Sequence, residues 1–182
     1  MSTATNTPIV ERPPSTEYAA PFERYLSRVT ETDLLGAMAR QKDELPAALA
    51  GVRGDVERFR YAEGKWSIRE VVGHIVDCER IFGYRALCIA RGETGPLPGF
   101  EENDYAANSS AHDCPLPELL EEFRYVRQGH LALFKHLNEA AWRRIGTSNS
   151  NPMSVRALAY IIVGHPRHHL AVLQERYLPR LG

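Results

Sequence analysis

At 182 residues the chain has the length of one domain with room for a tail and some long connections. Its 22 Lys and Arg stand against 23 Asp and Glu, and a net charge of −1 lacks the basic excess expected of a nucleic-acid binder. No stretch approaches the roughly 18–20 apolar residues of a membrane span, the N-terminus lacks the charged-then-apolar pattern of a secretory signal, and three cysteines without a CxxC pair argue against a disulfide framework. The expectation is a cytoplasmic protein with neither a nucleic-acid nor a membrane partner.

Residues 1–17, rich in Ser, Thr and Pro, read as a mobile tail, and 18–182 as the domain. Tyr18 to Val29 carries apolar residues at helical spacing but is interrupted by Pro21, so it should pack on the body without forming a regular helix. The first long helix is expected after Thr30, which with Asp33 resembles a capping box, and Pro46 should bend or end it. A polar linker, Gly51 to Lys65, follows. The second helix has the clearest start. Ser67 can cap Glu70, and Ile68, Val71, Val72, Ile75, Cys78, Ile81 and Phe82 form a broad apolar stripe ending near Gly92.

The connection from Gly92 to Cys114 is long for a compact domain, which suggests that it binds or covers something. A third helix is predicted from about Pro117 to Leu137, a short turn over Asn138 to Arg144, and a loop from Gly146 to Pro152. The last helix opens at Ser154 and runs to about Leu178. No segment alternates convincingly enough to predict a strand. Four long helices with three sizeable connections predict an all-α four-helix bundle, with its longest loop between the second and third helices.

Three of the seven histidines fall in His165-Pro166-Arg167-His168-His169. Residues four apart on a helix lie about 6 Å apart along the axis on nearly one face, so His165 and His169 can aim at one point. Packing alone would also account for such a pair. A third histidine changes the balance: His74 lies about two turns into the second helix, and if the two helices are neighbours, three imidazoles can meet between them. Three nitrogens leave a fourth position open, as in catalytic zinc sites. The Glu of HExxH is absent, since Pro166 stands in its place, so a zinc protease is a poor reading. Pro166 should either kink the helix or restart it.

Lys65 to Asp77 with Glu79-Arg80 and Tyr84-Arg85-Ala86-Leu87, then Pro96-Leu97-Pro98-Gly99-Phe100, and finally Ser154 to Leu158 with Gly164-His165, His168-His169 and Glu175 to Leu178, together resemble the DinB/YfiT-like superfamily. The resemblance spans roughly Tyr18 to Leu178. It implies a four-helix bundle with a three-histidine site for a divalent metal, zinc or nickel, often in a homodimer, and it carries the ligand role onto His74, His165 and His169. Family members include metal-dependent transferases that use low-molecular-weight thiols such as bacillithiol, and a mycothiol-dependent isomerase. The function expected on this ground is a metal-dependent, small-molecule thiol transferase. A metal-dependent hydrolase on the same site, and a metal-binding or stress-response protein without turnover, are the alternatives. The residues leave thiol activation and water activation both open.

Around that site Asp77 could orient an imidazole, although a solvated acid paired with Arg80 is the commoner fate of such a residue. Arg85, three turns after His74, could hold a substrate carboxylate or enter an ion pair. Cys78 could complete a closed site but reads better as a small buried thiol. His112, His130 and His136 have no partners at ligand spacing and read as ordinary surface residues, and His168, about 100° round the helix from His169, reads as a surface or supporting residue. Asp104 and Tyr105 would matter if the long loop folds over the site.

Overall fold

Four long helices carry the apolar stripes read from the sequence. The computed structural model describes residues 10–180. They are α2 (Leu34–Ala48), α3 (Ile68–Ala90), α5 (Leu116–Lys135) and α7 (Val155–Val172), joined by the shorter α1 (Glu23–Leu26), α4 (Glu102–Asn108) and α6 (Glu139–Arg143). Helix α3 packs on α5 and α7, and α2 packs on the same two. The consecutive helices α2 and α3 therefore face each other across the bundle diagonal. That arrangement makes α3 and α7, the helices bearing the histidines, neighbours.

Local sequence accounts for most helix starts. Ser67 and Glu70 form the expected capping box, with the Ser67 hydroxyl accepting from the Glu70 N–H at 3.2 Å and the Glu70 carboxylate accepting from the Ser67 N–H at 2.6 Å. Ser154 caps α7. The start of α2 differs from expectation: Asp33 alone is the cap, accepting from the Gly36 N–H at 2.9 Å, and Thr30 lies outside the helix. Pro46 falls in the last turn of α2, which ends two residues later.

Two further departures have tertiary causes. Residues 10–17, composed like the rest of a mobile tail, are tied to α7: Tyr160 donates to the Val10 carbonyl at 3.1 Å, and Arg156 pairs with a buried Glu17. Residues 1–9 of the predicted tail lie outside the described residues. The expected loop at 146–152 is instead a hairpin, β1 (Ile145–Ser148) against β2 (Asn151–Ser154). Its turn residues Asn149 and Ser150 both have positive φ, 49° and 61°, the conformation of a two-residue hairpin turn, here without glycine. Leu97 of the long connection pairs with the hairpin end, its N–H donating to the Thr147 carbonyl at 2.9 Å and its carbonyl accepting from Asn149 at 3.0 Å.

The apolar core is divided in two, and each long helix crosses from one half to the other. At the crossing each contributes buried polar side chains: Gln41 from α2, His74 and Glu79 from α3, Arg127 and His130 from α5, and His165 from α7. A polar layer thus lies across the middle of the bundle.

Alongside this layer α1 closes on α7. A Cβ at Gly164 would stand 2.0 Å from the Tyr25 carbonyl oxygen. Alanine gains about 1 kcal/mol of helix propensity over glycine, but here α1 would have to lift off α7. Gly164→Ala should therefore cost about 2 kcal/mol net, seen as a Tm lowered by roughly 4–8 °C. An unchanged Tm would contradict this contact.

Candidate metal centre

His74 is on the second turn of α3, and His165 and His169 are one turn apart on the adjoining face of α7. The Nε2 atoms converge: His74 to His165 is 3.2 Å and His165 to His169 is 3.0 Å. Each ring offers a nitrogen within 4.8 Å of the other two. His74 and His165 are buried and His169 is partly so. Aromatic rings surround them, with Trp66 4.7 Å from His74, and Tyr25 and Phe82 5.0 and 5.6 Å from His165, centroid to centroid.

Burial holds all three imidazoles neutral. It lowers His74 to about 4, and it places His165 and His169 well below the ordinary histidine range, with the neighbouring rings adding to the effect. Neutral imidazoles with converging nitrogens repel through their lone pairs unless a cation or proton lies between them. Four ligands at about 2.0–2.1 Å around a tetrahedral ion would be spaced by roughly 3.3 Å, close to the separations observed. Nδ1 of His165 is buried without a hydrogen-bond partner. A proton on that nitrogen leaves the Nε2 lone pair free, the tautomer a ligand needs. The donor set therefore fits a divalent metal.

Cys78, one turn beyond His74, has its sulfur 3.6 Å from His74 Nε2 but falls outside the cluster of mutually close donor atoms. Burial first, and then the carboxylates of Glu102, Asp77 and Glu79, push its thiol well above the ordinary range. It lines a cavity of about 540 Å³ together with His165, Phe82 and Arg85. A second cavity of about 270 Å³ reaches His169 from the other side, past Trp66 and Tyr177. Glu102 and Asn103, at the start of α4, line both. The long connection does fold over the histidines, but through these residues. Asp104 and Tyr105 face outward, Tyr105 packing on Phe100 at 5.0 Å.

A model of the DinB superfamily matches residues 20–173. The chain belongs to the DinB superfamily. A relative in Geobacillus thermodenitrificans (strain NG80-2), named "Putative metal-dependent hydrolase", is 24% identical over 145 residues, covering 78% of this chain and 80% of its own. Among solved structures, the DinB fold here is similar to YfiT from Bacillus subtilis, described as a probable metal-dependent hydrolase with an unusual four-helix bundle topology. The TM-score is 0.72, with 18% identity and 95% of each chain covered. Among the described residues no helix is long and apolar enough to cross a membrane.

In this DinB bundle the other expected residues divide. Asp77 is half-buried with Arg80 as its neighbour at 3.9 Å, and it makes no hydrogen bond to an imidazole among the described residues. Arg85 does reach the cavity, and it makes no ion pair there among the described residues. His168 stands beside the cluster, 5.4 Å from the Tyr25 ring. His136 is exposed, while His112 contacts the Ser67 hydroxyl at 3.1 Å.

His130 is not a surface residue. It is buried, with Nδ1 3.0 Å from Glu79. Glu79 also takes two hydrogen bonds from Arg127, at 3.0 and 2.6 Å. The same Arg127 donates to the Ile162 carbonyl at 2.9 Å, and Gln41 donates to the Val163 carbonyl at 2.8 Å. Proline at 166 cannot bond to the carbonyl four residues back, and Ile162 is that residue. Helix α7 neither restarts nor ends at Pro166, and the donor that the Ile162 carbonyl loses is supplied by Arg127 of α5. Periodicity along one helix could not have shown this, since the donor comes from another helix.

Proposed function

We propose that this protein is a metal-dependent hydrolase of small molecules, with His74, His165 and His169 holding one divalent cation. Three imidazole nitrogens suit zinc or nickel. The observation that carries the proposal is the convergence of three neutral Nε2 atoms from two helices at the edge of a cavity large enough for a small substrate. The name of the Geobacillus relative points the same way. A bound divalent cation supplies Lewis-acid activation of water and of a carbonyl or phosphoryl oxygen. The chain would do the rest. Burial keeps the ligand nitrogens unprotonated at neutral pH. Phe22, Phe82 and Phe100 line the cavity and limit water. Glu102, which borders both cavities, is the carboxylate suited to accept a proton from the attacking water. The thiol transferase expected from the sequence would use the same cation, but neither relative is described in those words.

Purified protein should carry about one metal per chain, and His74→Ala or His169→Ala should lose it. Chelator-treated protein should regain hydrolysis of an ester, amide or phosphoester panel when zinc or nickel is restored. Metal content indifferent to both substitutions would remove the proposed centre. Metal-dependent formation of a bimane–thiol adduct from monochlorobimane, without hydrolysis, would move the assignment to a transferase.

A further inference from the structure

Two arginines are buried, and their surroundings differ. Arg127 is enclosed by Glu79, Gln41 and the Ile162 carbonyl. Arg85 is 4% exposed, yet among the described residues no carboxylate lies within 4.0 Å of its guanidinium. Its one hydrogen bond among the described residues runs from Nη2 to the Pro98 carbonyl at 2.7 Å, and the Phe100 ring lies 5.8 Å from Cζ. A guanidinium has five donors; Arg85 borders the cavity at His165 and another of about 320 Å³ beside Pro98 and Tyr105, and its remaining donors have no partner among the described residues. Ser148 lines the cavity at His165; the residue is 2% exposed, and its hydroxyl is buried with no hydrogen-bond partner among the described residues. It is fixed there by the hairpin, whose turn is held to Leu97.

A buried charge without a counter-ion and a buried hydroxyl without a partner are both costly, and here they border one space. The other charged groups bordering it are Arg24, which adds positive charge, and Glu101 and Glu102, which lie on α4 and its approach. We infer that Arg85 and Ser148 form a subsite for the carboxylate of a small apolar or aromatic acid whose reacting bond lies at the His165 end. The body of such a ligand would rest on Phe22, Phe82 and Phe100. Arg85 is seven residues, two turns, after Cys78 on the same face of α3, and both border the cavity with His165. The reacting end rests on the proposed hydrolase, whereas the carboxylate subsite stands without a metal.

The test compares phenylacetate, 3-phenylpropionate and 4-phenylbutyrate with their neutral amides, by calorimetric titration into the full chain, metal-loaded and chelator-treated. At least one acid should bind about tenfold or more tightly than its amide, as expected for a buried charge-assisted contact, with or without metal. Arg85→Gln should bring the acid down to the level of the amide and leave amide binding unchanged. Ser148→Ala should weaken the acid severalfold, and Arg85→Lys should keep part of the preference. Should Arg85→Gln fail to fold by circular dichroism, Ser148→Ala and the wild-type comparison decide. Equal binding of every acid and amide, a preference that survives Arg85→Gln, or one that vanishes with the metal would each overturn the subsite. A preference that persists in a protein unable to bind metal would uphold it while removing the hydrolase.

Discussion

Replacing Glu79 with alanine is expected to lower stability by about 3–5 kcal/mol, a fall in Tm of roughly 6–20 °C for a chain of this size. Arg127 has no solvent exposure, and Glu79 supplies its counter-charge through two hydrogen bonds. Burial alone would raise the Glu79 carboxyl, but Arg127 and His130 outweigh it and hold the group below the ordinary glutamate value. Alanine at 79 leaves the guanidinium buried without its anion. The paired change Glu79→Leu with Arg127→Met removes both charges, which by itself is often near neutral. In this bundle it should still cost about 1–3 kcal/mol, because the Ile162 carbonyl then loses its donor. Pro166→Ala, which restores an N–H four residues on, should recover part of that loss in the paired variant and little in Glu79→Ala. Urea titration of wild type, Glu79→Ala, the paired variant and the latter two with Pro166→Ala measures each step. A cost below about 1 kcal/mol for Glu79→Ala would show that the polar layer is not what holds the four helices in register.

Metal-free protein is expected to lose stability steadily as the pH falls from about 6.5 towards 4. An unfolded histidine titrates near 6.5, whereas burial holds folded His74 down to about 4. Below 6.5 the unfolded chain therefore takes up protons that the folded chain refuses. The stability is complete above pH 6.5 and declines until His74 protonates in the fold. That difference corresponds to about 3 kcal/mol for His74, and His165 and His169 act in the same direction. Carboxylates lose their contribution lower down. Glu31, hydrogen-bonded to Arg167 and lowered to about 2, begins to lose its contribution only below its ordinary value of 4.5. Chemical denaturation at pH 7.5 and 4.5 should show the decline in wild type, and His74→Ala should show a smaller one. With metal bound, the same protons should compete for the ligand nitrogens and release the ion. Equal stability at both pH values would mean that the rings are not buried as described.

Much of the bundle was legible because its signals are local. The capping box at Ser67 and Glu70, the cap at Ser154 and the apolar stripes of α3, α5 and α7 depend on residues three or four apart. The hairpin was not legible. Its strands are four residues each, too short to alternate, and a turn built from Asn149 and Ser150 carries no glycine. The packing of residues 10–17 was hidden for another reason: a Ser- and Pro-rich stretch becomes ordered only through Arg156 and Tyr160, more than a hundred residues away. His130 looked like a surface residue because its partner, Glu79, is 51 residues earlier.

By itself the sequence determined four long amphipathic helices and the spacing that places His165 and His169 on one face, since helical periodicity links near neighbours in the chain. Only the tertiary structure decided that His74, 91 residues before His165, meets that face, and that Arg85 enters the cavity without a counter-ion. Which helices adjoin is set by packing the whole set of stripes at once, and no single stripe carries that information.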